Sequence, residues 1–97
     1  MDRVNIDVMY DKLTEIYFDL EEIMERLYYD LQNEPTNLKN ANRLQEIGNV
    51  AIKVLGSQIH LIESYGDPQF KDNLLNNLDD KLTNLSASLA LDRDRFR

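Results

Sequence analysis

The sequence has no cysteine and no tryptophan, and only three glycines, two prolines and one histidine among its 97 residues. The lack of cysteine excludes a disulfide, a thiolate nucleophile and a cysteine zinc site. So few glycines and prolines leave little room for the turns of a β-sandwich or β-barrel. No apolar run approaches the roughly 18 residues of a membrane span, and the first residues carry no apolar core of signal-peptide type. We therefore expect a cytoplasmic protein with no membrane partner.

Basic residues are also few, since 11 Lys and Arg stand against 18 Asp and Glu and give a net charge of −7. The excess lies at the start, where residues 1–34 hold ten acids and three bases. This balance disfavours a broad, non-specific grip on nucleic acid, which needs clustered cations to displace counterions. Any contact with DNA would rest on Arg3, Lys39, Arg43 and Lys53, or on the arginines at 93, 95 and 97. The candidate DNA contacts are Lys39, Arg43 and Lys53.

Apolar residues in steps of three and four dominate the first third of the chain. They are Ile6, Met9, Leu13, Ile16, Leu20, Ile23 and Leu27, with a second row at Tyr10, Tyr17, Met24 and Leu31. This spacing is the heptad pattern of a packed helix, and the second row makes it wider than a two-stranded coiled coil requires. It predicts a helix over residues 6–32. The oligomer or partner interface predicted on it comprises Leu13, Ile16, Leu20, Ile23 and Leu27.

A polar joint around Pro35 separates this helix from a second apolar segment, because proline cannot continue a helical ladder. Leu44, Ile47, Ala51 and Leu55 keep one helical period and predict a helix over residues 37–65. The alternation of apolar residues within 50–62, around a Gly-Ser pair, leaves a β-hairpin open as the alternative. Glycines at 48 and 56 inside a helix call for a packing reason, such as the close approach of another helix.

Gly66-Asp67-Pro68 marks the next boundary. Gly66 suits a left-handed residue that ends a helix, Asp67 an N-cap, and Pro68 the first helical position. The third helix, predicted over residues 68–91, carries a leucine row in steps of three and four. This second predicted interface comprises Leu75, Leu78, Leu82, Leu85 and Leu89. The charged tail 92–97 is expected to fray.

The predicted fold is therefore all-α. Residues 1–91 form a single domain, a three-helix hairpin or bundle in which the long helices 1 and 2 are antiparallel and the third is rich in leucine. Because so short a chain has a thin core, we expect it to be oligomeric, with itself as its main partner.

Three aromatic residues of the first helix fall outside the apolar seam, at Phe18, Tyr28 and Tyr29. Exposed aromatic side chains are common in contacts between proteins, so these are candidate contact residues. The alternative is that the third helix of the same chain covers them.

Residues capable of catalysis are scarce. His60 pairs with Glu63 on one side of a helix, but a helical di-metal site needs a second such pair, and no second histidine exists. No phosphate-binding loop, nucleophile elbow or metal-protease motif is present. We expect no enzyme activity, no catalytic residue, no metal site and no cofactor.

The joint and its flanks resemble the central helical hairpin of bacteriophage terminase small subunits. The resemblance covers residues 12–64 and rests on the helix end at 27–31, the polar joint at 32–37 and the following Asn-Ala-Asn-Arg-Leu at 40–44. It implies a viral DNA-packaging factor in the host cytoplasm that assembles into a ring. Such a factor regulates a large subunit that carries the ATPase and nuclease, and has no catalytic site of its own.

A different class of function fits the acidic first segment. A small acidic adaptor or inhibitor, from a phage or a bacterium, could dock on a partner enzyme by mimicking nucleic-acid charge, because a dense acidic face can occupy a basic groove. Both readings describe a protein that acts by binding other proteins.

Overall fold

Three α-helices make up the protein. The computed structural model describes residues 3–66 and 68–95, in the order α1 (Arg3–Asn33), α2 (Leu38–Tyr65) and α3 (Pro68–Arg95). No strand occurs in this part of the chain, so the all-α prediction is confirmed. The β-hairpin alternative over 50–62 is wrong, because the helical period of the second segment continues across it and buries one side of α2.

The joint between α1 and α2 follows the chemistry of its residues. The N–H of Glu34 donates to the carbonyl of Asp30 at 2.9 Å, and α1 ends before Pro35. Asn37 is the N-cap of α2, since its Oδ1 accepts a hydrogen bond of 3.1 Å from the N–H of Asn40. This bond satisfies one of the donors that a helix start leaves free.

Gly66 ends α2 in a way that the sequence did not indicate. Its backbone is extended, with φ −69° and ψ 153°, so the predicted left-handed conformation is wrong. Its N–H donates to the carbonyl of Ile62 at 2.8 Å, and Lys71 Nζ donates to the carbonyl of Glu63 at 3.1 Å. Because these donors already serve carbonyls of the last turn, no left-handed turn is required. The N-cap predicted at Asp67 lies outside the described residues.

The outer ends of α1 and α3 extend past the predicted bounds. α1 begins at Arg3, and α3 continues through Arg95 instead of ending at residue 91. No glycine or proline follows Pro68, so nothing in the sequence interrupts the helix where a frayed tail was expected. Residues 96 and 97 lie outside the described part of the chain.

α2 is the central helix of the arrangement. α1 and α3 both pack against it, whereas no Cα of α1 comes within 8 Å of a Cα of α3 among the described residues. The buried core runs along α2, where Leu44 and Leu55 are the largest fully buried side chains. The other members of this core are Tyr17, Met24, Leu27, Leu31, Ala41, Ala51, Val54, Ile62, Leu78 and Leu89.

A polar contact fixes how α2 lies along α1. Gln58 is only 3% exposed, and its Nε2 donates to Thr14 Oγ1 at 2.8 Å and to the carbonyl of Tyr10 at 3.3 Å. Thr14 Oγ1 in turn donates to the same carbonyl at 3.1 Å. A residue late in α2 thus contacts the early part of α1, so the two helices run in opposite directions. A shift by one turn would break these bonds inside an apolar contact, which makes Gln58 a register-setting residue.

The leucine row of α3 packs inside the chain. Leu78 and Leu89 are buried, and Leu75, Leu82 and Leu85 lie partly buried against the core. Gln45 Nε2 donates to the carbonyl of Leu89 at 2.8 Å, which adds a polar tie between α2 and α3. An interface role for these leucines would therefore require α3 to leave α2.

Candidate functional site: an apolar edge, a groove and an acidic stripe

The apolar seam of α1 divides into a covered part and an exposed part. Leu27 is buried, and Leu13 and Leu20 pack partly buried against the core. By contrast, Met9, Ile16 and Ile23 are 41%, 46% and 39% exposed. These three residues, seven apart along α1, form what we call the outer seam. Two of the interface residues predicted from the sequence, Ile16 and Ile23, lie on it.

The position of α3 explains the division. A groove between α1 and α3 is lined by Tyr17, Met24 and Tyr28 of α1, so α3 lies on that flank. α2 covers the middle of the seam, and the flank that bears Met9, Ile16 and Ile23 has no third helix beside it among the described residues. The second apolar row gave α1 more apolar surface than two neighbouring helices cover.

The outer seam leads into an open groove between α1 and α2, with a volume of about 770 Å³. We call it the Gly56 groove. Its lining residues are Met9, Lys12 and Leu13 of α1 with Lys53, Gly56, Ser57, His60 and Leu61 of α2. The apolar residues lie alongside three residues that carry basic groups, and no carboxylate is among the lining residues. Lys53, Gly56, Ser57 and His60 are spaced by three or four residues, so the sequence alone could have placed them on one side of α2.

Val50 extends the same exposed surface along α2. It is 46% exposed and lies three residues before Lys53 and seven before Ser57, on the groove's side of the helix. The outer seam and Val50 together give the α1–α2 pair an apolar edge.

The two glycines inside α2 have different surroundings. A Cβ at Gly48 would overlap the side chain of Leu89, so the close approach of α3 explains this glycine. A Cβ at Gly56 would meet nothing within 4 Å. Interior glycine destabilises a helix by about 1 kcal/mol relative to alanine. Packing within the chain offsets this cost at Gly48 but not at Gly56.

A second exposed surface of α1 combines aromatic rings with carboxylates. Phe18 and Tyr29 are 56% and 66% exposed, whereas Tyr28 is half-buried beside α3. Of the two alternatives for these rings, coverage by α3 therefore applies to Tyr28, and exposure to solvent applies to Phe18 and Tyr29. Steps of three, four or seven residues place the two exposed rings on one side of α1 with four exposed acids. This acidic stripe comprises Asp7, Asp11, Phe18, Glu22, Glu25 and Tyr29.

Side chains of α1 and α3 meet across the groove between these helices. Lys81 Nζ lies 5.5 Å from the centroid of the Tyr17 ring, within the range of a cation–π contact. Burial raises the pKa of Tyr17 above its ordinary 10.0, and the neighbouring carboxylate of Glu21 raises it further by charge and by a hydrogen bond. Burial, with a smaller effect of the Asp11 charge, raises the pKa of Tyr10 in the same way. Both phenols therefore keep their protons at neutral pH.

The basic residues named as DNA-contact candidates are exposed. Lys39 and Arg43 lie one turn apart near the start of α2, and Lys53 lies further along it at the Gly56 groove. His60 is exposed in the same groove. Within the described residues, no group of three or more His, Cys, Asp or Glu side chains could hold a metal ion.

None of the described helices is long and apolar enough to cross a membrane. Comparison of the chain with protein families, with curated proteins and with solved structures finds no match.

Proposed function

We propose that this chain is a non-catalytic helical interaction protein that associates with further copies of itself through the outer seam. The observation that carries the proposal is the exposure of Met9, Ile16 and Ile23 at 41%, 46% and 39%. Single exposed apolar side chains are ordinary on protein surfaces. A row of three at heptad spacing, continued by Val50 on the neighbouring helix, is the pattern by which one helix receives another.

The resemblance to terminase small subunits gives this association a biological setting. In that setting the copies assemble into a ring, help to package viral DNA and regulate a large subunit that carries the ATPase and nuclease. The large subunit would be the second protein partner. DNA contacts would rest on Lys39, Arg43 and Lys53, which the number of copies would multiply. The all-α fold and the exposed edge support this setting.

The test of self-association is the native mass of the wild type and of Ile16→Asp. We expect the wild type to form a discrete oligomer in light scattering at several concentrations. Ile16→Asp should remain folded, because this side chain is 46% exposed, and should dissociate because the contact would bury an unpaired charge. The expected weakening is at least tenfold in the dissociation constant.

Leu38→Asp is the control for this test. Leu38 is 61% exposed and lies at the start of α2, outside the outer seam, and an acid suits the first turn of a helix. It should leave the oligomer unchanged. A wild type that is monomeric at every concentration would contradict the proposal.

The acidic stripe favours a second candidate function. In this alternative the chain is a monomeric adaptor or inhibitor whose exposed carboxylates and rings occupy the basic groove of a nucleic-acid enzyme. Its expected signature is binding to such an enzyme in competition with nucleic acid, with an affinity that falls as salt rises. Substitution of Glu22 and Glu25 by lysine should abolish that competition.

A further inference from the structure

Gly56 is a helix-interior glycine whose surroundings within the chain give no reason for it. Gly56 is exposed, the space where its Cβ would lie is open to 4 Å, and the residue lines the Gly56 groove. A larger side chain here would occupy part of that open space. The absence of a side chain therefore leaves room for a group that comes from outside the chain.

The groove also selects the charge of that group. Lys12 and Lys53 line the groove together with the apolar side chains of Met9, Leu13 and Leu61, and no carboxylate is among the lining residues. An occupant with an apolar or aromatic side chain at its centre and acids around it would match both properties.

The acidic stripe of the same chain has this chemistry. Phe18 is more than half exposed near the middle of the stripe, with acids one turn away at Glu22 and two turns away at Asp11 and Glu25. The stripe and the Gly56 groove lie on different faces of the molecule, so one copy can use both surfaces at once.

We propose that the Gly56 groove of one copy receives the acidic stripe of the next, with the ring of Phe18 above Gly56. This inference rests on the proposed self-association: it joins the Gly56 groove to the outer seam as one contact surface and names the acidic stripe as the surface that covers both. A symmetric groove-to-groove contact would bring Lys12 and Lys53 of two copies together, and a stripe-to-stripe contact would oppose carboxylates. Groove on stripe is the pairing that sets opposite charges against each other, which matters in a chain of net charge −7. The contact is therefore head-to-tail.

Two variants, each with one defective surface, test the pairing. Gly56→Glu places a bulky carboxylate in the groove and lowers its positive charge while the stripe stays intact. Phe18→Ala removes the ring at the centre of the stripe while the groove stays intact, and alanine offers no new partner for the glutamate at position 56. Both changes lie at exposed positions, and glutamate and alanine favour helix more than the residues they replace. Circular dichroism and thermal melting should show wild-type helix content in both.

We expect each variant alone to be monomeric in light scattering at concentrations where the wild type is assembled. An equimolar mixture should form a 1:1 heterodimer and nothing larger, since it holds one intact groove and one intact stripe per pair. Two monomers in the mixture, or wild-type assembly by either variant alone, would overturn the head-to-tail contact while leaving self-association standing. A monomeric wild type would overturn both.

Discussion

The smallest unit that organises this fold is the side chain of Gln58. It is buried between two helices, and its amide donates to a threonine hydroxyl and a backbone carbonyl. A polar group in this position costs free energy in every register except the one that supplies its partners. The residue thus adds specificity to a contact whose apolar side chains alone would tolerate sliding.

Two substitutions at Gln58 separate the effect of volume from that of hydrogen bonding. Gln58→Ala leaves a cavity and loses both bonds, so the free energy of unfolding should fall by about 1–3 kcal/mol. Gln58→Leu keeps the volume, and Thr14 still donates to the carbonyl of Tyr10, so no donor is stranded. The loss for leucine, measured by urea unfolding, should be smaller than for alanine. Equal losses would show that the hydrogen bonds outweigh the volume.

At the scale of the helix, Gly48 and Gly56 of α2 allow the same substitution to be compared in two different surroundings. Gly56→Ala should raise the free energy of unfolding of the monomer by about 1 kcal/mol, because alanine favours helix and meets no neighbour. Gly48→Ala gains the same propensity but pushes against Leu89, and overpacking costs about 1–3 kcal/mol. We expect it to be neutral to destabilising. Thermal melts of the two variants would contradict this account if they shifted equally upward.

The helices also show what periodicity can and cannot predict. Steps of three and four located the bulk of α1 and favoured helix over hairpin in α2, where the structure then shows a helix. The same steps did not tell which half of a wide seam α2 and α3 would cover, because that depends on the flank on which α3 packs. Gly66 is a similar case. A glycine at this position fits a left-handed helix end, but the carbonyls of Ile62 and Glu63 already accept hydrogen bonds from the N–H of Gly66 and from Lys71 Nζ, so no left-handed turn is needed.

The candidate surfaces were only partly visible in the sequence. The heptad spacing predicts Ile16 and Ile23 as interface residues, and both are exposed in the structure. The sequence does not predict the Gly56 groove, since this groove joins Lys12 with residues more than forty positions later in the chain. Such a site depends on the register of α1 against α2. The heptad spacing of the apolar residues does not fix this register, because a shift by seven residues preserves the same pattern.

At the scale of the whole molecule, the chain is an elongated body of 48 × 20 × 15 Å in which each helix packs on the next one along the chain. Packing of this kind can begin beside the short joints and extend outward, so each new contact closes only a short loop and the entropy lost before packing begins is small. We expect refolding in roughly milliseconds or faster, as in other helical bundles. Stopped-flow or temperature-jump kinetics at low protein concentration would check this, and a main phase of seconds would contradict it.

The exposure of Met9, Ile16 and Ile23 has a consequence for how such a protein can change over time. These side chains contribute little to the chain's own core, which depends instead on residues such as Leu44 and Leu55. Under the proposed self-association, mutations along that edge can therefore alter which protein binds there at little risk to folding. Folding and binding specificity are then open to selection almost independently.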